Sequence, residues 1–314
     1  MVAVAIALLC LNDHASTTPY VHALMARPFQ GRAQVTRTSS AMSSSAEERI
    51  LAARRAGTHT ADGDDDTHGH DLVVAALNRP VLAQITPDGL CSSDTSAAQL
   101  LRSVEKAVAG GVTLVQLRDS KSDLESKVNL AKQLRHVTVG SPALFVVNLV
   151  DGDASWARTA GADGVHLPER SIGLLASLRD SSASVRPVWP LIIGCSVHSV
   201  HAALEAARLG ADYVQVGTMF ATMSHPGKEP EGIQLMSDVR RRLDAEGLGG
   251  VSVIGVGGID AENCGSVMAA GADGVAAIRC LYGGDRAERE AKCLVNSMRE
   301  NMRLVSSTSS SVSR

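Results

Sequence analysis

No block of lysine or arginine runs through this sequence, and its 30 basic residues are balanced by 33 acidic ones, leaving a formal charge of -3 over 314 residues. A chain that grips a phosphate backbone carries a basic stripe, so nucleic acid is excluded as a partner. The six cysteines (Cys10, Cys91, Cys195, Cys264, Cys280, Cys293) never stand at CxxC spacing. That argues against a zinc site and a secreted disulfide framework, and for free thiols in a reducing compartment. A membrane-length apolar run is missing too: the opening MVAVAIALLCL is too short to cross a bilayer, so no membrane association is expected of the mature protein. Finally, no GxGxxG stands after an early strand, which removes the main signature of a dinucleotide-binding doubly wound sheet.

The stretch after the opening run is rich in Ser and Thr, carries Arg27, Arg32 and Arg37, and has almost no acids. This composition reads as targeting, with a plastid reached through a secretory step as the expected destination and the mitochondrion or cytoplasm as alternatives. Residues 1–60 are assigned to that segment. Residues 61–75 include ADGDDDTHGHDL, where His68 and His70 sit among acids, and read as a solvated linker. The fold is expected over 76–304, with a disordered Ser-rich tail over 305–314.

From Pro80 onward, eight short β-branched runs alternate with segments of helical periodicity. The runs are VLAQIT (81–86), VTLVQL (112–117), ALFVVNL (143–149), GVHL (164–167), LIIGCSV (191–197), YVQVG (213–217), VSVIGVGG (251–258) and GVAAIRC (274–280). AAQLLRSVEKAVAGG and SDLESKVNLAKQLRHV between them space apolar residues at 3.6. An internal repeat joins the units: AGADGVH (160–166), LGADYVQ (209–215) and AGADGVA (270–276) each put a glycine where a helix ends in a left-handed cap, with AGGVTLVQ a variant of the same joint. Eight such units in this length predict an α/β fold, a single-domain (β/α)8 TIM barrel behind an N-terminal targeting extension.

In such a barrel the chemistry sits at the carboxyl ends of the strands. The polar residues expected there are Gln116, Arg118, Asn148, His166, Glu169, Ser196, His198, Thr218, Thr222, Ser224, His225, Lys228 and Arg279, together with the glycines of GVGGID (255–260). Gly257 and Gly258 let backbone N–H groups approach an anion closely, so this turn is a candidate phosphate cup completed by the end of strand eight. His198 comes directly after the apolar IIGCSV run, and an imidazole with an ordinary pKa of about 6.5 both takes and gives a proton near neutrality.

In order and spacing, VQLRDSKS, VVNLVDGD, GADGVHLPERS, IIGCSVHSVHAALEAARLGADYVQVGTMFAT, EGIQL, VIGVGGI and AGADGVAAI resemble the thiamine-phosphate synthase/TenI family of barrels over about residues 80–302. The resemblance implies an enzyme of thiamine biosynthesis with a small-molecule thiazole phosphate as its partner and a homo-oligomeric assembly. Two activities occur in that family. The synthase joins a pyrimidine diphosphate to the thiazole phosphate with Mg²⁺, and TenI is a thiazole tautomerase that aromatises thiazole carboxylate phosphate by a proton shift.

The acids that hold magnesium in synthases correspond here to Leu149 and Ser171, the R-x-K motif becomes Arg118-Asp119-Ser120 with Lys121 one place late, and the lysine of the strand-six loop becomes His225. Leucine supplies no ligand to a hard cation and serine a poor one. The closer resemblance is therefore to TenI, with no metal or other cofactor required. It implies His198 as the catalytic proton carrier and Gln116, Arg118, Asn148, Ser196, Thr222, Ser224, Gly257, Gly258 and Arg279 as substrate-binding residues. The alternatives are a synthase that holds Mg²⁺ otherwise, for instance through Asp151 or Asp153, and a barrel that binds thiazole or thiamine phosphate without catalysis.

Overall fold

A computed structural model describes residues 77, 80–89, 94–150, 153–180, 192–223, 227 and 229–311. The expected targeting segment and acidic linker lie outside them. Eight parallel strands close into a barrel in chain order, β1 to β8, with β8 pairing back to β1. They are β1 (Val81–Ile85), β2 (Leu114–Leu117), β3 (Leu144–Asn148), β4 (Gly164–Leu167), β5 (Ile192–Val197), β6 (Tyr213–Val216), β7 (Ser252–Val256) and β8 (Gly274–Ala277). A helix comes after each: α1 (Asp94–Ala109), α2 (Leu124–Thr138), α3 (Ser155–Thr159), α4 (Leu174–Asp180), α5 (Val200–Arg208), α6 (Gly232–Ala245), α7 (Cys264–Ala269) and α8 (Asp285–Ser311). This is the TIM barrel the alternation predicts.

Several boundaries differ from the sequence reading, those of the strands by one to a few residues. GVAAIRC ends its strand at Ala277, because beyond it the chain turns into the barrel mouth. The last helix continues to Ser311, where a disordered tail was expected from residue 305. Serine is only a modest helix former, but a helix already running needs no new nucleus to extend.

The period of two along each strand separates two cores. Val81, Ala83, Leu114, Val146 and Ile254 fill the barrel interior, while Leu82, Val115, Phe145, Val147 and Val253 pack outward against the helices. Tyr213 is the largest interior side chain and is fully buried. It lies across Gly194, where an added Cβ would sit 1.9 Å from its ring, so only glycine admits it.

The repeat has a physical job at the opposite end from the mouth. Gly161, Gly210 and Gly271 adopt positive φ as the helix-end reading requires. The aspartate two residues later then turns back onto the preceding strand. Asp163 accepts the N–H of Phe145 at 2.8 Å, Asp212 that of Ile193 at 2.8 Å, and Asp273 that of Val253 at 2.9 Å. Each aspartate also receives an arginine from an earlier helix: Arg135 of α2, Arg179 of α4 and Arg240 of α6. In the fourth variant Thr113 stands in the aspartate's place and donates its main-chain N–H to the Leu82 carbonyl at 2.9 Å, as Asp163, Asp212 and Asp273 donate theirs to the carbonyls of Phe145, Ile193 and Val253. The strand-pair joints are thus pinned at the barrel floor, leaving the other rim to function.

Candidate active site at the barrel mouth

The mouth is a cavity of about 1330 Å³ lined by Gln116, Arg118, Asn148, Ser196, His198, Thr222, Gly257, Gly258 and Arg279, among others. The strand ends therefore bring nine of the ten expected site residues to one place. The tenth, Ser224, lies outside the described residues, as do His225 and Lys228.

His198 is placed by local sequence. Strand β5 ends at Val197, and Ser199 adopts an extended backbone and caps α5 by accepting the N–H of Ala202 at 3.1 Å. His198 is caught between strand and cap, with 45% of its side chain exposed. Its N–H donates to Glu169 Oε2 at 2.6 Å. Its Nδ1 contacts the carbonyl of Gly217 and lies 3.4 Å from Glu231 Oε1. Donation to that carbonyl requires the tautomer with its proton on Nδ1, so Nε2 carries the lone pair a base needs.

The candidate phosphate cup is made by two loops. Met219 and Phe220 donate their N–H groups to the carbonyls of Val256 and Gly257, extending the β6–β7 pairing past the sheet. The carbonyls are consumed, whereas the N–H groups of Gly258, Ile259 and Arg279 meet no protein acceptor among the described residues. Gly257 and Gly258 hold φ of +104° and +64°, and a Cβ on either would collide with Thr218 or with the carbonyl of Ala221. A turn of this shape, aimed into a cavity, has the backbone geometry that anion binding requires.

Between cup and floor runs a polar chain. Gln215 Nε2 donates to Gln116 Oε1 at 2.6 Å, and Gln116 Nε2 donates to Asn148 Oδ1 at 2.7 Å. His166 Nδ1 meets Tyr213 Oη at 3.0 Å and its Nε2 meets Ser196 Oγ at 2.8 Å. His166 is fully buried, and burial lowers its pKa to about 3. It stays neutral and orients Ser196, so it is a structural histidine. Neither Cys195 nor Cys280 is poised as a nucleophile: burial, then nearby carboxylates, raise Cys195 to about 12 and Cys280 to about 11.

Magnesium does not fit the positions that hold it in a synthase. Leu149 is fully buried among the helix-facing core, and the Ser171 hydroxyl donates, at 3.4 Å, to the Val150 carbonyl. Asp119, also at the mouth, accepts the N–H groups of Lys121 and Ser122 and the Ser122 hydroxyl. Of the substitutes, Asp153 accepts the N–H of Ser155 at 3.0 Å, and Asp151 lies outside the described residues.

Sequence reasoning missed Gln215 and Glu231. Gln215 was legible as a polar residue on the inward face of β6, two positions after Tyr213. Glu231 opens the EGIQL motif, but nothing in that motif marked it as facing the site, which it reaches from the start of α6.

Residues 82–281 match the family described as thiamine monophosphate synthase. A thiamine-phosphate synthase of Marinobacter nauticus is 31% identical over 68% of this chain and 88% of its own. One from Gloeobacter violaceus is 35% identical over 49% of this chain, which spans only 43% of that relative's length. Among solved structures, a thiamine phosphate pyrophosphorylase from Pyrococcus furiosus superposes with a TM-score of 0.57 at 27% identity, covering 72% of this chain and 98% of its own.

Proposed function

Because this chain belongs to the thiamine monophosphate synthase family, we propose that its barrel mouth binds a thiazole monophosphate in thiamine biosynthesis and that His198 moves a proton on it. The reaction read from the site is the tautomerase's: a proton leaves the ring carbon for His198 Nε2 and returns to the substrate's exocyclic carbon, and aromatisation drives it. The observation that carries this reading is the ring's placement. Nδ1 is committed to the Gly217 carbonyl beside Glu231, so Nε2 is the basic atom in a cavity that also holds the phosphate cup.

The second reading is condensation, and the relatives' names favour it over the proton shift. In that reading a pyrimidine diphosphate is joined to the same thiazole phosphate. Against it stand Leu149 and Ser171 where carboxylates would neutralise the leaving pyrophosphate. The proposal carries with it a plastid destination and a homo-oligomeric assembly.

Replacing His198 with Asn separates binding from chemistry. Turnover of thiazole carboxylate phosphate is expected to fall by about 10²- to 10⁴-fold while phosphate binding persists. Unchanged turnover removes His198 from the reaction. Formation of thiamine phosphate from both substrates with Mg²⁺ replaces the first reading with the second.

A further inference from the structure

Glu231 stands at the N-cap of α6 yet makes no side-chain cap to that helix. Its carboxylate is turned into the site instead. Oε2 accepts the N–H of Thr218, and Oε1 lies 3.4 Å from His198 Nδ1. The residue before Thr218 is Gly217, whose carbonyl contacts the same ring nitrogen. One peptide unit is therefore gripped from both ends, its N–H by the carboxylate and its carbonyl by the imidazole. The carboxylate side chain is only 20% exposed, which weakens solvent screening of its charge.

A second carboxylate near His198 has a different task. Glu169 Oε2 accepts the main-chain N–H of His198 and so fixes where the residue sits. Glu231 addresses the ring. An acid beside the distal nitrogen of a base holds the useful tautomer and stabilises the imidazolium formed when the other nitrogen takes a proton.

We propose that Glu231 is a positioning residue: it locks His198 with its proton on Nδ1 and stabilises the cation formed when Nε2 receives the substrate proton. The proposal rests on the reading of His198 as proton carrier. The proton balance closes within the pair. Nε2 accepts one proton from the substrate and gives it back at the second carbon, the Nδ1 proton never leaves, and Glu231 stays a carboxylate throughout.

The test uses the full chain with Glu231→Gln and Glu231→Asp. Glutamine keeps an oxygen for the Thr218 N–H and removes the charge. Three quantities are read: kcat and KM on thiazole carboxylate phosphate, the ¹⁵N resonances of the His198 imidazole, and binding of inorganic phosphate as a check that the mouth is intact. The expected result is a kcat lowered by at least about tenfold in Glu231→Gln with KM within about twofold. The wild-type ¹⁵N pattern is expected to show protonated Nδ1 and unprotonated Nε2, giving way to mixed tautomers in the glutamine variant, with Glu231→Asp in between.

Phosphate binding with unchanged kcat and unchanged ¹⁵N signals in Glu231→Gln overturns the role. Should that variant lose phosphate binding, the ¹⁵N pattern of Glu231→Asp decides, and a wild-type pattern at wild-type kcat overturns it. Absence of turnover in the wild-type protein removes the proposed reaction instead, and the tautomer comparison still decides the part played by Glu231.

Discussion

Two histidines thirty-two residues apart face opposite physical demands. His166 is sealed in the barrel between Tyr213 and Ser196, and its pKa is lowered to about 3, from an ordinary 6.5. Between those two values the unfolded chain takes up a proton that the folded chain refuses, so stability is full above about pH 6.5 and falls as the pH drops. The slope is about 1.4 kcal/mol per pH unit from this one group. In His166→Gln that slope is expected to disappear from urea unfolding measured between pH 6.5 and 4, leaving whatever other groups contribute; an identical slope in the variant contradicts the burial argument. His198, half open to the cavity, is the proposed proton carrier. Both were legible as histidines at strand ends. What distinguishes them is which neighbours close over the ring, and that depends on Tyr213 crossing Gly194, a long-range contact with no trace in local pattern.

The turn after β7 and the joints before β4, β6 and β8 are built from short motifs that say much about their geometry. GVGGID announces close backbone approach, and the structure supplies the reason: a Cβ on Gly258 would lie 2.6 Å from the Ala221 carbonyl. Gly258→Ala is expected to weaken phosphate binding by at least about tenfold, the loss of one or two well-placed N–H donors, with the barrel still folded. Calorimetric titration with inorganic phosphate reads this, and unaltered affinity means the anion sits elsewhere. The GAD repeat was visible as helix end and strand start, but not as an ion-paired pin. The arginines that meet the aspartates stand 28 to 33 residues earlier, on a different element each time. Asp212→Ala leaves Arg179 and the N–H of Ile193 without their carboxylate and is expected to cost about 3–5 kcal/mol in urea unfolding. A loss below about 1 kcal/mol shows the joint to be held by packing alone.

At the scale of the molecule, alternation of β-branched runs with helical segments points to parallel strands joined by crossovers of one hand, and the count of eight units without a dinucleotide fingerprint is what favours a closed barrel over a doubly wound sheet. Closure then decides the site. Gln116 on β2, Asn148 on β3, Ser196 and His198 at the end of β5, and the glycines after β7 are far apart in the chain, yet the barrel puts them around one cavity. The choice between the family's two reactions is less legible, since it turns on which atoms surround Leu149 and Ser171 and on residues of the β6 loop outside the described set. The central claim is that this mouth holds a heterocycle's monophosphate and moves a proton with His198, without a divalent ion. The most direct measurement incubates the purified chain with the non-aromatic tautomer of thiazole carboxylate phosphate in D₂O containing a strong chelator and tracks the aromatised product by proton NMR. Aromatised product formed under chelation, its deuterium content reading how far the proton on His198 exchanges with solvent before it returns, and lost in His198→Asn, is the predicted result. No conversion under chelation, with thiamine phosphate appearing once Mg²⁺ and the pyrimidine diphosphate are supplied, contradicts it.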